Sequence, residues 1–166
     1  MHNIVIDIGN TNSKVAVFKS GVLVFFEKSQ QLDSRRIAEL LEEYGVQNAA
    51  VSSVNKEETA IRELLKAKTN YIDFSTVNNP GIVNHYATPE TLGLDRWAKV
   101  IAAHQLYRGA DCLLIDAGTC ITYDVLTNAN YYGGSISLGI QMRFQALAHF
   151  TGRLPLVAWN AEAEIP

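Results

Sequence analysis

A disulfide framework, a cationic excess and long apolar runs are all missing from this sequence, and each absence removes a class of function. Two cysteines among 166 residues, Cys112 and Cys120, cannot staple a small secreted domain. Both lie in apolar, strand-like stretches, which predicts small buried hydrophobes and fits a reducing cytoplasm. Fourteen Lys and Arg stand against seventeen Asp and Glu, a net charge of −3. With no Lys/Arg run to mark a basic face, this argues against a nucleic-acid partner. The four histidines (His2, His85, His104, His149) are scattered without metal-ligand spacing. No apolar run approaches the roughly 18 residues that span a bilayer, and the opening Met1-His2-Asn3-Ile4-Val5-Ile6-Asp7 lacks the basic start and longer apolar stretch of a signal peptide. The expectation is a protein with no membrane or nucleic-acid partner.

What is present is ordinary globular composition, 48% apolar and 19% charged, enough to bury a core in one domain or two small lobes. Residues 3–9 form a short apolar run with Asp7 near its end and Gly9 closing it, the pattern of a buried strand with a carboxylate at its C-terminal end. Residues 13–18 read as a second strand, Ser20-Gly21 as a tight hairpin turn and residues 22–27 as a third strand. Ser34 suits an N-cap for a helix over 35–44, with Ile37, Leu40, Leu41 and Tyr44 on one face and Gly45 as its stop. A strand over 48–54, an amphipathic helix over 56–66 and a short strand over 71–74 complete a βββαβαβ lobe. Residues 75–90 read as a polar loop, long enough to suggest function, and 96–107 as a helix.

The opening pattern then recurs. Residues 112–116 form an apolar strand ending Asp116-Ala117-Gly118-Thr119, as the first ended Asp7-Ile8-Gly9-Asn10-Thr11. Strands over 121–126 and from Tyr131 to Ser137 follow, then a helix over 140–149. Such internal repetition implies two related lobes: residues 1–110, and residues 111–166 as the start of a second lobe that lacks the later elements of the first.

An Asp-x-Gly hairpin with hydroxyl residues exposes backbone N–H groups that cradle phosphate, because glycine permits close approach; its carboxylate suits a metal ion. One copy is equally a structural turn, whereas two copies, each opening a βββ unit, suit a nucleoside triphosphate held from both sides. Lys14 fits either as a phosphate-neutralising cation or as a solvated lysine. In Thr91-Leu92-Gly93-Leu94-Asp95-Arg96-Trp97, Asp95 fits both a helix N-cap and the carboxylate that accepts a proton from an attacking hydroxyl. Spacing leaves both readings open.

Asp7-Ile8-Gly9-Asn10-Thr11-Asn12-Ser13-Lys14 resembles the phosphate loop of type III pantothenate kinases. Gly93-Leu94-Asp95-Arg96 is similar to their Gly-x-Asp-Arg motif, and Ile115-Asp116-Ala117-Gly118-Thr119 to their second-lobe loop. The stretches Gly133-Gly134-Ser135-Ile136-Ser137-Leu138-Gly139 and Thr151-Gly152-Arg153-Leu154-Pro155 follow in family order. The resemblance implies an α/β fold: the two-lobed ribonuclease H-like (actin-like ATPase) duplication of the acetate kinase–Hsp70–actin group, a βββαβαβα repeat with an incomplete second lobe. It implies phosphorylation of pantothenate by ATP with Mg²⁺, the first step of coenzyme A synthesis, in a cytoplasmic homodimer. Asp7, Gly9, Asn10, Thr11, Lys14, Gly118 and Thr119 would bind ATP, with Mg²⁺ near Asp7. Asp95 would be the catalytic base; Tyr86, Gly93, Leu94 and Arg96 would meet pantothenate; and Asp116 would hold a monovalent cation, K⁺ or NH₄⁺. Family members continue past the Leu-Pro stretch, so the resemblance further implies a C-terminally truncated chain, a possible inactive fragment, with an apolar face left exposed on its second lobe. A Bvg accessory factor-like transcriptional regulator, a sugar kinase, a polyphosphatase and an actin-like filament protein are the rival readings. The presence of Asp95 favours the kinase.

Overall fold

The computed structural model describes residues 1–9, 11–53, 59–76 and 81–158. Asn10, Val54, the expected helix start at Lys56 and the Asn78-Asn79-Pro80 turn lie outside the described residues. By contacts the chain divides into two units, residues 1–80 with 87–99, and residues 81–86 with 100–166.

The first unit is built on a five-stranded sheet. Strands β1 (His2–Ile8), β2 (Ser13–Lys19) and β3 (Val22–Ser29) form an antiparallel meander, and β4 (Asn48–Ser53) and β5 (Asn70–Ile72) add parallel to β1, giving the order β3-β2-β1-β4-β5. Period-two alternation sends Ile4, Ile6 and Ile8 to one face, opposite Val17 and Val15 of β2 and Ala49 and Val51 of β4. These residues pack in one buried core with Ile37, Leu40 and Leu41 of α1 (Ser34–Tyr44) and Ile61 and Leu65 of α2 (Thr59–Lys68). The cap of α1 is Asp33 rather than the expected Ser34: the Asp33 carboxylate accepts a 2.8 Å bond from the Arg36 N–H. A carboxylate so placed also meets the positive helix end. Gly45 ends the helix at φ 55°, where glycine has no Cβ penalty.

Two expectations for residues 71–90 need correction. The strand over 71–74 is the three-residue β5 (Asn70–Ile72). The segment read as loop contains β6 (Val83–Asn84) and a 3-10 turn (Pro89–Thr91), followed by α3 (Leu94–Leu106). Strand β6 is too short to show a period, and it exists because it pairs parallel with a strand far along the chain.

That partner belongs to the second unit's sheet, ordered β6-β9-β8-β7, with β7 (Cys112–Ala117), β8 (Cys120–Thr127), β9 (Asn130–Leu138) and a following helix α4 (Ile140–Phe150). The meander repeats in detail. Each β-hairpin turn has two positive-φ residues, Ser20 and Gly21 in the first, Asn128 and Ala129 in the second, the type I′ signature. In each, the returning strand slips by one residue, skipping Val24 against β2 and Tyr132 against β8, so a bulge sits three positions past the turn.

Burial breaks the symmetry. Leu113 and Ile115 occupy on β7 the places of Ile4 and Ile6 on β1, yet Ile115 is 59% exposed where Ile6 is 0% exposed. With Val125 across from Leu113 they make an exposed apolar face, the feature expected of the second lobe. Cys112 and Cys120 are half-buried rather than buried, because one lies on the outer strand of this sheet and the other at a strand start.

The asymmetry is measurable by chemical denaturation. Ile6→Ala is expected to destabilise by about 2–5 kcal/mol and Ile115→Ala by less than about 0.5 kcal/mol. In the second turn, Ala129 carries a backbone at φ 59°, so Ala129→Gly is expected to stabilise by about 0.5–1 kcal/mol.

Candidate active site

In the first unit the Asp-x-Gly hairpin is held by its own backbone. The Gly9 N–H donates to the Asn12 carbonyl at 3.2 Å, and a Cβ on Gly9 would lie 3.2 Å from the same oxygen. This turn keeps Thr11 exposed, while Ser13 is buried at the start of β2. The pleat that buries Ile6 and Ile8 turns Asp7 to the other face, directly across from Lys14. Lys14 Nζ and Asp7 Oδ2 are 3.1 Å apart, with half of the lysine and about a third of the aspartate side chain exposed. An ion pair this wet contributes at most about 1 kcal/mol, so both charges remain available to an incoming ligand. The set fits magnesium nucleotide: a carboxylate for a hard cation that keeps its waters and phosphates, and an ammonium for phosphate oxygens.

The second motif of this unit starts α3. The Trp97 N–H bonds to the Gly93 carbonyl at 3.1 Å, so the helix begins at Leu94 and Asp95 lies inside its first turn rather than capping it. The Asp95 carboxylate folds back over Gly93: a Cβ there would meet Asp95 Oδ1 at 2.5 Å. Lys99 Nζ approaches Asp95 Oδ2 at 3.5 Å, and about a third of each side chain is exposed. Arg96 is 5% exposed, unusual for a guanidinium. Thus one carboxylate is accessible and one arginine is enclosed within two adjacent positions.

In the second unit Asp116 is exposed at the end of β7, across from Thr122. Thr122 therefore stands where the first hairpin has Lys14. Its Oγ1 is buried and has no hydrogen-bond partner among the described residues. A carboxylate and a hydroxyl oxygen are hard donors, suited to a hard cation rather than a soft metal. Gly118 and Thr119 form the loop that follows: the Gly118 N–H donates to the Cys120 carbonyl at 2.9 Å, and the Gly139 N–H donates to the Thr119 carbonyl at 3.1 Å. Any side chain on Gly139 would run into the Gly118 and Thr119 carbonyls, so glycine alone lets the start of α4 close on this loop.

Arg143, in the first turns of α4, donates from Nε to the Leu138 carbonyl at 2.9 Å and from Nη2 to Ser137 Oγ at 3.3 Å. Reading by motif passed over it, although a cation near a helix N-terminus opposes the macrodipole and is a signal in itself. Tyr86 is placed by β6: its N–H donates to Asn84 Oδ1 at 3.0 Å, and its ring lies parallel to that of Tyr131, centroids 6.3 Å apart. Asp7, Gly9, Thr11, Lys14, Gly93, Leu94, Asp95 and Arg96 thus belong to the first unit, and Tyr86, Asp116, Gly118 and Thr119 to the second. Among the described residues no three His, Cys, Asp or Glu side chains cluster to hold a metal by themselves, and no helix is long and apolar enough to cross a membrane.

Comparison with known proteins gives this arrangement its family. The type III pantothenate kinase family profile matches residues 3–165. A type III pantothenate kinase of Bacteroides fragilis is 44% identical over 168 residues, covering 99% of this chain and 68% of that protein. One from Phocaeicola vulgatus is 42% identical, with the same coverage. Among solved structures, a Campylobacter jejuni protein described as a Baf family transcriptional activator matches at TM-score 0.56 and 24% identity, over 98% of this chain and 68% of that one. The Aquifex aeolicus Ppx/GppA phosphatase matches at TM-score 0.52 and 14% identity, over 92% of this chain and 56% of that one. At such identities the likeness carries the fold alone: the α/β, ribonuclease H-like (actin-like ATPase) fold that the resemblance implies. By its match from residue 3 to residue 165, the chain belongs to the type III pantothenate kinase family.

Proposed function

We propose that this chain carries the active-site machinery for ATP-dependent phosphorylation of pantothenate to 4′-phosphopantothenate, the first step of coenzyme A biosynthesis. The observation that carries this reading is Asp95: an accessible carboxylate over a glycine at the start of α3, in the Gly-x-Asp-Arg motif of a chain with this family match. Asp95 accepts the proton of the primary hydroxyl as its oxygen bonds to the γ-phosphorus. The bond from that phosphorus to the bridging oxygen breaks, and its electron pair leaves with ADP. A loose transition state of this kind needs charge neutralisation and alignment more than covalent help.

Each side chain then has a duty. Lys14 neutralises phosphate charge, with the backbone of Gly9, the hydroxyl of Thr11 and the neighbouring Asn10. Gly118 and Thr119 hold the nucleotide from the second lobe. Asp7 meets the Mg²⁺ that accompanies ATP and stabilises charge on its phosphates. Asp116, with the unsatisfied Thr122 hydroxyl beside it, supports a monovalent cation, K⁺ or NH₄⁺. Arg96, Gly93 and Leu94 of the first unit, and Tyr86 of the second, bind pantothenate. The enzyme works as a cytoplasmic homodimer of two-lobed subunits. The transcription-regulator reading rests on a likeness that carries only the fold, and nothing in the site favours it.

The direct test supplies the full chain with ATP, Mg²⁺, pantothenate and either K⁺ or NH₄⁺, and follows ADP release and phosphopantothenate by mass. A folded chain that makes no product overturns the proposal; product that is independent of either cation removes the role of Asp116. Asp95→Asn is expected to lower kcat about 10²–10⁴-fold, while the pantothenate Kd, measured by calorimetry, stays within about threefold. Gly93→Ala pushes the carboxylate from its place without removing it, and is expected to lower kcat at least about tenfold with circular dichroism unchanged. Unaltered turnover in both variants would move the base elsewhere.

A further inference from the structure

Strand β6 has two residues and one neighbour, β9, too little ladder to fix a side chain at its end. What fixes it is aromatic. His85 stacks on Tyr132, centroids 4.9 Å apart and planes 7° apart, with His85 Nε2 2.8 Å from Asn130 Oδ1. Tyr86 lies parallel to Tyr131, planes 9° apart, and the His85 N–H donates to the Tyr131 carbonyl at 2.8 Å. Tyr131 is itself immobilised, being 0% exposed with its hydroxyl donating to Asp124 Oδ1 at 2.7 Å, a carboxylate that is 1% exposed. Gly133 completes the seat: at φ 85° it turns the chain so that any Cβ would come within 2.9 Å of the Tyr86 ring. Gly134 lets β9 come against the Tyr123 and Asp124 backbone, where a side chain has no room.

We infer that Tyr131, locked by Asp124 and lying parallel to the Tyr86 ring that fills the space left by Gly133, is a positioning residue that sets that ring for pantothenate. The inference rests on the proposed role of Tyr86 and adds residues that act on the substrate through that ring. A tyrosine that drifts by an ångström loses a directional contact without any loss of fold. The hydroxyl–carboxylate bond prevents this drift, because a buried ring anchored at its far end cannot rotate away.

The test is a double-mutant cycle in the full chain, reading the pantothenate Kd by calorimetry together with the separate KM values for pantothenate and ATP. Tyr131→Leu is expected to weaken pantothenate about tenfold, and Tyr131→Phe, which keeps the ring but frees it, about threefold, with the ATP KM moving less than about twofold. In a Tyr86→Ala background, Tyr131→Leu is expected to add less than about twofold. Equal effects of Tyr131→Leu in both backgrounds, or a matching rise in the ATP KM, overturn the inference by showing that Tyr131 acts generally. If Tyr86→Ala weakens pantothenate while neither Tyr131 variant does, only the inference fails. If Tyr86→Ala leaves the Kd unchanged, the role of Tyr86 fails and the inference with it. Should Tyr131→Leu not fold, Tyr131→Phe with and without Tyr86→Ala decides by the same comparison.

Discussion

Along β1 the side chains of Ile4, Ile6 and Ile8 go to one face of the sheet and Asp7 goes to the other, and the pleat permits no other arrangement. A one-residue slip would bury the carboxylate and expose three isoleucines. The register with β2 then follows, since Val15 and Val17 must meet the same core, and that register sets Lys14 opposite Asp7. The charged pair is therefore a by-product of core packing. The turn that returns the chain must be tight and polar, which supplies Gly9 and Thr11. A core requirement thus sets a carboxylate and an ammonium side by side at the mouth of a tight, glycine-containing turn.

The same logic explains which parts were legible in the sequence. Both meanders, α1 and the Asp-x-Gly loops declare themselves within windows of ten or so residues, through alternation and turn chemistry. Gly93 and Asp95 were readable as a pair, but not the choice between cap and proton-accepting carboxylate, because both readings need the same residues at nearly the same places. Asp33 was missed as the cap because Asp33 and Ser34 both suit the position, and only backbone geometry separates them. Strand β6 was invisible: two residues carry no period, and the partner of Val83 is Asn130. Everything that depends on β6, the seat of Tyr86 above all, was hidden with it.

The Gly133-Gly134 pair illustrates how a motif conceals two separate reasons. Gly133 adopts a left-handed conformation and leaves space for an aromatic ring, while Gly134 brings one strand against the backbone of the next. Gly139, a few residues on, serves a third purpose, letting a helix end close on the loop of Gly118 and Thr119. None of these is a turn requirement that sequence pattern reveals. Each is a close approach by a distant segment, which only tertiary contact defines.

Duplication has not produced two copies of one site. In the first hairpin Asp7 and Lys14 lie seven positions apart, and the carboxylate meets an ammonium across the ladder. In the second, the loop is one residue shorter, so Asp116 meets Thr122 instead. In the first hairpin the wet ion pair leaves the carboxylate open to a divalent ion that arrives on a polyphosphate. A carboxylate facing an unsatisfied buried hydroxyl has a second oxygen ligand across the strand. Deleting one residue between two strands therefore changes what stands across from the carboxylate, an ammonium in the first hairpin and a hydroxyl oxygen in the second.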